Sequence, residues 1–68
     1  MKIGSVSYID KVYLFGNGYI MKSEYGLTPN GNCLDGKWVL RDGNGEFLDF
    51  NTNRNDLADK FNLRICHV

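Results

Sequence analysis

Apolar and polar residues alternate on both sides of a glycine-rich cluster in the second half of the chain. The stretch from Lys37 to Phe50, KWVLRDGNGEFLDF, has an apolar-rich run before and after Asp42-Gly43-Asn44-Gly45. Asp, Asn and Gly accept the backbone angles of a tight reversal, so this stretch predicts a β-hairpin.

Two registers of this hairpin are open. The preferred one has an ion pair and two apolar pairs across the strands: Arg41 opposite Glu46, Leu40 opposite Phe47, and Val39 opposite Leu48. Such cross-strand pairs contribute roughly 0.2–1 kcal/mol each. A loop at Asn44-Gly45 would instead set Leu40 against Asp49 and Arg41 against Leu48.

A second hairpin is predicted from Lys11 to Ser23, where Asn17-Gly18 fits the two-residue type I′ turn. In that register both faces of the hairpin are apolar. One face carries Val12, Leu14, Tyr19 and Met21, and the other carries Tyr13, Phe15 and Ile20. One helix covers only one face of a small sheet. We therefore expect the apolar residues of the second face to be covered by curling of the sheet, by another layer of strands or by a partner.

The ends of the chain predict two short strands. Lys2 to Tyr8 has weak alternation interrupted by Gly4, typical of a short edge strand. Leu63 to Val68 predicts a closing strand with Ile65 and Leu63 pointing inward. Between the hairpins, the segment from Gly26 to Gly36 holds the only proline and several glycines, so we interpret it as a connection that crosses from one hairpin to the next.

One short helix is predicted over residues 54–61. Leu57 and Phe61 have i, i+4 spacing, and Asn53 is a favourable N-cap. Asp56 then lies near the positive end of the helix dipole, and Asn62 accepts the left-handed conformation that ends a helix. The fold class is therefore α+β: a small antiparallel sheet of two β-hairpins plus terminal strands, packed by one C-terminal helix in the order β-β-β-β-β-α-β, in a single domain over residues 1–68.

Charge and length exclude several classes of protein. Eight basic and eight acidic residues give zero net charge, so there is no basic stripe for phosphate-backbone binding. No apolar run approaches the ~20 residues of a membrane span, and the N-terminus lacks the apolar region of a signal peptide. We expect a cytoplasmic protein that does not bind membranes.

Catalytic and metal-binding patterns are also lacking. His67 and Cys66 are neighbours in a predicted strand and point to opposite faces, and with Cys33 they supply too few ligands for zinc. Two aspartate-rich stretches lack the glycine and the final glutamate of a calcium loop. For the cysteines, buried free thiols are the favoured interpretation, and a Cys33–Cys66 bridge stays open. We expect no enzymatic activity, no cofactor and no metal.

The surplus apolar face of the Lys11–Ser23 hairpin suggests a binding role. We predict a protein-binding module whose partner-binding residues are Tyr13, Phe15 and Ile20, with Lys22 at the rim. The partner is another protein or a second copy of the chain. The alternative is a single-stranded nucleic-acid-binding sheet, in which aromatic side chains stack bases beside basic ones. The residues are Tyr13, Phe15, Tyr19 and Trp38 near Lys11, Lys22, Lys37 and Arg41.

No family motif can be placed on this sequence residue by residue. Its small size, neutral charge and lack of catalytic motifs resemble the short accessory and inhibitor proteins that bacteriophages and other mobile elements encode. The resemblance implies an inhibitor or adaptor and assigns no role to any residue.

Overall fold

A computed structural model describes residues 3–9 and 11–65, with the backbone alone for residues 5–9. It contains six strands and one helix, in the predicted order. They are β1 (Ile3–Ile9), β2 (Val12–Phe15), β3 (Ile20–Ser23), β4 (Trp38–Arg41), β5 (Phe47–Asn51), α1 (Arg54–Lys60) and β6 (Leu63–Arg64). The α+β fold class is confirmed. Parts of the two predicted terminal strands lie outside the described residues: Lys2 of the first strand, and Cys66, His67 and Val68 of the last.

The strands form a six-stranded sheet in the order β5-β4-β3-β2-β1-β6. Neighbouring strands from β1 to β5 are antiparallel, whereas β6 pairs with β1 in parallel. The predicted edge position of the first strand is wrong, because β1 lies between β2 and β6. The chain reaches β6 from β5 through α1, so the helix spans the sheet from one edge towards the other.

The turn between β2 and β3 is one residue longer than predicted. The Phe15 N–H donates to the Tyr19 carbonyl at 2.9 Å, which leaves a three-residue loop centred on Asn17. Gly18 has a φ of 92°, while Asn17 has no positive φ, so the turn is not type I′, which needs both. The loop is instead a turn followed by a glycine bulge.

This longer loop changes the register of the second hairpin. Tyr13 is opposite Met21, and Leu14 is opposite Ile20. Because directly opposite residues share a face and neighbours in a strand alternate, Tyr13, Phe15 and Met21 lie together on one face. Val12, Leu14 and Ile20 lie on the other, so the predicted grouping of Ile20 with Tyr13 and Phe15 is wrong.

The hairpin of β4 and β5 has the same kind of turn. The Asp42 N–H donates to the Glu46 carbonyl at 3.0 Å, and Gly45 has a φ of 85°. The preferred register is therefore wrong: Leu40 is opposite Asp49, as in the alternative, and a bulge at Leu48 then brings Phe47 opposite Arg41. The bulge keeps Leu48 packed against the core although Asp49 is on the same side of the sheet.

The segment between β3 and β4 continues their hairpin instead of crossing the sheet. Glu24 N–H donates to the Lys37 carbonyl at 3.1 Å, which extends the pairing of the two strands. Further along, Leu27 bridges to Cys33, and the Thr28 N–H donates to the Asn32 carbonyl at 2.8 Å. We refer to residues 24–37 as the ribbon. The prediction of a crossover connection is wrong, because β3 and β4 are neighbours in the sheet.

The helix is the element that the sequence predicts best. Asn53 caps its N-terminus, where the side-chain oxygen accepts the N–H groups of Asn55 at 2.9 Å and Asp56 at 3.3 Å. Asn62 has a φ of 58°, the left-handed conformation expected after the last turn. Helix residues Leu57 and Ala58 are buried against the sheet.

The main core lies between α1 and one face of the sheet. Its buried members come from four strands and the helix: Tyr13, Phe15, Met21, Leu40, Leu57, Ala58 and Leu63. We call the sheet face that carries these residues the inner face, and the opposite one the outer face. Leu34 of the ribbon and Val39 of β4 are also buried but do not belong to this cluster. Val39 is on the outer face, because it neighbours Leu40 in the strand.

Candidate binding surface

The four residues predicted to bind a partner are divided between the two faces of the sheet. Tyr13 is 1% exposed and Phe15 is 3% exposed, and both belong to the inner core. Their predicted place at a binding surface is wrong, because the register puts them against α1. Ile20 is half-buried and Lys22 is exposed, and both lie on the outer face.

The outer face is organised in two rows that cross four strands. In one row, Leu14, Ile20, Arg41 and Phe47 are successive neighbours, and in the other, Val12, Lys22, Val39 and Phe50 are. Each row therefore has one cation set among apolar side chains. Val39 is fully buried, whereas the other apolar members are half-buried. The half-buried positions contrast with the fully buried positions of the inner face.

An ion pair on the outer face joins Arg41 of the first row to Glu24 of the ribbon. Arg41 Nε lies 2.8 Å from Glu24 Oε2, and Arg41 Nη2 lies 2.9 Å from Glu24 Oε1, a bidentate arrangement. The hydrogen bonds from Arg41 lower the pKa of Glu24 against the opposing effect of burial, and the charges of Arg41 and Lys22 lower it further. The predicted pairing of Arg41 with Glu46 is wrong, because Glu24 of the extended hairpin takes that place.

Two lysines complete the charge pattern of the outer face. Lys22 is exposed, and among the described residues no carboxylate lies within ion-pair distance of its amine. Lys37 Nζ lies 5.7 Å from the centre of the Phe50 ring, within cation–π range. Phe50 also contacts Phe47, with their ring centres 6.1 Å apart. The outer face therefore combines apolar side chains with unneutralised positive charge.

The ribbon exposes two large apolar side chains. Tyr25 is 80% exposed and Leu27 is 70% exposed, the largest exposures of hydrophobic residues in the described part of the chain. Thr28 and Leu34 of the same ribbon are buried, which holds the ribbon against the domain. Cys33, opposite Leu27, is exposed with a free thiol, so its predicted burial is wrong. Cys66, its proposed bridge partner, lies outside the described residues.

An open cleft of about 380 Å³ lies at the start of α1, lined by Trp38, Thr52, Asn53, Arg54 and Asn55. The Arg54 guanidinium is 5.7 Å from the Trp38 ring centre and 6.0 Å from that of Tyr13. Arg54 therefore holds the helix start against the aromatic side chains of the sheet. The Asn53 side chain already accepts hydrogen bonds from two of the first helical N–H groups. Packing of Arg54 and capping by Asn53 therefore explain why these residues lie together at the cleft.

The described residues form neither a cluster of metal ligands nor a membrane-spanning helix. No group of three His, Cys, Asp or Glu side chains in residues 3–9 and 11–65 is placed to hold a metal ion. The helix that the structure describes is too short and too polar to cross a membrane. His67, the only histidine of the sequence, is not among the described residues.

Comparison of the chain with protein-family models, with curated proteins and with solved structures gave no match. The interpretation of the surface therefore depends on the geometry described above.

Sequence reasoning missed Val12, Leu14 and Phe47 as members of the outer face. The signal that would have found them is the recurrence of Gly-Asn-Gly at residues 16–18 and 43–45. A glycine before Asn-Gly suits the first position of a three-residue loop, and glycine after the asparagine suits the bulge. A three-residue loop in both hairpins gives the observed placement of Tyr13 and Phe15 on the inner face.

Proposed function

We propose that this chain is a small protein-binding module that contacts its partner through the outer face of the sheet. The observation that carries the proposal is the half-buried state of Leu14, Ile20 and Phe47, on a face where Lys22 is exposed. Contiguous apolar patches with a polar rim are typical of interaction surfaces on small soluble domains. An inhibitor or adaptor acts by such contacts alone and needs no catalytic group.

The module works in the cytoplasm under this proposal. The exposed free thiol of Cys33 supports that location, because a reducing compartment keeps such a thiol from oxidising. Encoding by a bacteriophage or another mobile element, as for the small inhibitors that the sequence resembles, belongs to the same proposal.

The test compares Ile20→Ser with Leu27→Ser as bait in affinity capture from the source cell, followed by mass spectrometry. Both substitutions replace a branched apolar side chain, but Ile20 lies on the outer face and Leu27 on the ribbon. We expect Ile20→Ser to lose the partner and Leu27→Ser to keep it, with circular dichroism confirming that both remain folded. The opposite pattern would move the binding surface to the ribbon.

Self-association is one version of this function. Sedimentation velocity at micromolar concentration would detect a dimer, and a homodimer through the outer face would dissociate in Ile20→Ser. A single monomeric species at every concentration would leave only a different protein as partner.

Nucleic-acid binding stays a prediction with less support. Tyr13 and Phe15, two of the aromatic residues it invoked, are buried in the core, and Tyr19 and Trp38 pack against that core. A mixed-sequence oligonucleotide titration in low and high salt tests it, since backbone binding weakens steeply with salt.

A further inference from the structure

We propose that the outer face binds a segment of a different protein, and that this segment carries both acidic and apolar side chains. The inference extends the proposed function and depends on the outer face being the binding surface. It identifies the chemistry of the partner: carboxylates that pair with Lys22 and Lys37, beside apolar side chains that cover Leu14, Ile20 and Phe47.

Of Arg41, Lys22 and Lys37, only Arg41 forms an ion pair with a described carboxylate. Both carboxylate oxygens of Glu24 accept hydrogen bonds from Arg41, at 2.8 and 2.9 Å. Lys22 is near enough to act on Glu24 electrostatically, but no described carboxylate forms an ion pair with it. The amine of Lys37 lies 5.7 Å from the centre of the Phe50 ring, and no described carboxylate forms an ion pair with it. The outer face thus carries excess positive charge in a chain with zero net charge.

The charge of Lys22 lies among apolar side chains. Lys22 lies inside its row, between Val12 and Val39, and not at the end of a strand. A partner that covers the apolar side chains must therefore come close to the amine. Covering a cation without supplying a carboxylate leaves its charge desolvated and unpaired, which weakens binding.

The same position disfavours a second copy of the chain as the occupant. A two-fold symmetric dimer places each patch against itself. The excess positive charges of both copies would then share one interface, and the Glu24 carboxylates are already occupied. Like charges brought together in a partly desolvated interface oppose association.

The experiment selects binding peptides from a random twelve-residue display library, with the full chain as target. Selections run in parallel on the wild-type chain, Lys22→Gln, Lys22→Glu and the control Lys60→Gln. Lys60 is 63% exposed and pairs with Asp49 on the helix side, so its substitution changes the net charge as Lys22→Gln does, away from the outer face. Peptides enriched on each target are sequenced and their net charge is compared.

We expect the wild-type chain and Lys60→Gln to enrich peptides that combine Asp or Glu with large apolar residues. Lys22→Gln should bind those peptides about two- to fivefold more weakly, the usual effect of one solvent-accessible ion pair. Lys22→Glu should enrich peptides of lower acidity. Amide NMR shifts on the labelled chain should map the acidic peptides to Val12, Ile20 and Lys22.

Two results overturn the inference in different ways. If peptides map to the outer face but have the same net charge on wild type and Lys22→Glu, the acidic partner is wrong and the binding surface stands. If no peptide is enriched, or if the enriched peptides leave the amide signals of the outer face unshifted, the proposed function fails together with the inference.

Discussion

The bidentate contact between Arg41 and Glu24 joins the start of the ribbon to the end of β4. Its side chains are 31% and 17% exposed, so the pair is partly removed from solvent. We expect Glu24→Gln to lower the free energy of unfolding by about 1–2 kcal/mol, because hydrogen bonds to charged groups contribute more than neutral ones. Urea unfolding at pH 7 measures this loss.

Glu46→Gln is the matched control for Glu24→Gln. Glu46 is the other glutamate of the chain, and its side chain is exposed. The register predicted from the sequence had paired it with Arg41. We expect its free energy of unfolding to stay within about 0.5 kcal/mol of wild type. A larger loss in Glu46→Gln than in Glu24→Gln would contradict the observed pairing.

Two carboxylates make the stability of the fold depend on acid pH. Hydrogen bonds from Arg41 lower the pKa of Glu24. Burial acts to raise the pKa of Asp49, but hydrogen bonds from Lys60 and the Phe50 N–H outweigh it, so that pKa is also lowered. Carboxyls with a lowered folded-state pKa stabilise the fold above their unfolded pKa, near 4, and this contribution is lost as pH falls further.

We therefore expect the free energy of unfolding to decrease below about pH 4.5. In Glu24→Gln the decrease should be shallower, since one of the two groups no longer titrates. Urea unfolding between pH 7 and pH 3 compares the slopes of the two proteins. Equal slopes would show that the Glu24 carboxyl ionises alike in the folded and unfolded chains.

At the scale of elements, the hairpin turns depend on glycines with positive φ. An added Cβ at Gly45 meets no atom within 4 Å, but the φ of 85° disfavours any L side chain. We expect Gly45→Ala to lose about 1–2 kcal/mol of stability. Gly16→Ala is the control, because Gly16 has no positive φ and its added Cβ would touch Ile3 at an ordinary 3.7 Å. Equal losses in the two variants would mean that conformation is not the cause.

The helix depends on its cap in the same local way. Asn53→Ala removes the oxygen that accepts from the Asn55 and Asp56 N–H groups, so we expect a loss of about 1 kcal/mol. Asn53→Asp should retain most of the stability, because aspartate caps equally well. Asn55→Ala, at an exposed helical position, should be neutral. Thermal unfolding followed by circular dichroism ranks the three variants.

These elements show why the helix was predictable and the strand registers were not. The N-cap, the apolar spacing and the left-handed Asn62 are all encoded within residues 53–62. A hairpin register, by contrast, depends on whether Asn17 lies in a two- or three-residue loop. A shift of one residue moves every side chain of a strand to the opposite face. The candidate surface therefore kept Ile20 and Lys22 but lost Tyr13 and Phe15.

For the whole molecule, the edge of the sheet at β5 limits how a partner can bind. The Phe50 N–H donates to Oδ1 of the preceding residue, Asp49, at 2.8 Å. The bulge at Leu48 also interrupts the regular pairing of β5 with β4. Both features are typical of strands that avoid pairing with further chains. Under the proposed function, we therefore expect contact through the outer face and no addition of a strand at β5.

Within residues 3–9 and 11–65, a single helix closes the main core, so that core has little redundancy. Phe15 is 3% exposed within it, and Phe→Ala in a core costs about 3–5 kcal/mol. A 68-residue domain has roughly 3–10 kcal/mol of stability in total. We expect Phe15→Ala to lose about 3–5 kcal/mol, a large fraction of that total. The measurement is urea unfolding with tryptophan fluorescence, which reports on Trp38 beside Tyr13, their ring centres 5.9 Å apart.

Ile20→Ala provides the contrast, because it shortens an apolar side chain that is only half-buried on the outer face. We expect it to lose about 1 kcal/mol and to remain cooperatively folded, since removing partly exposed methyl groups leaves no closed cavity. A Phe15→Ala protein as stable as Ile20→Ala would place Phe15 outside the core. It would then favour the shorter turn at Asn17-Gly18 and return Tyr13 and Phe15 to the binding surface.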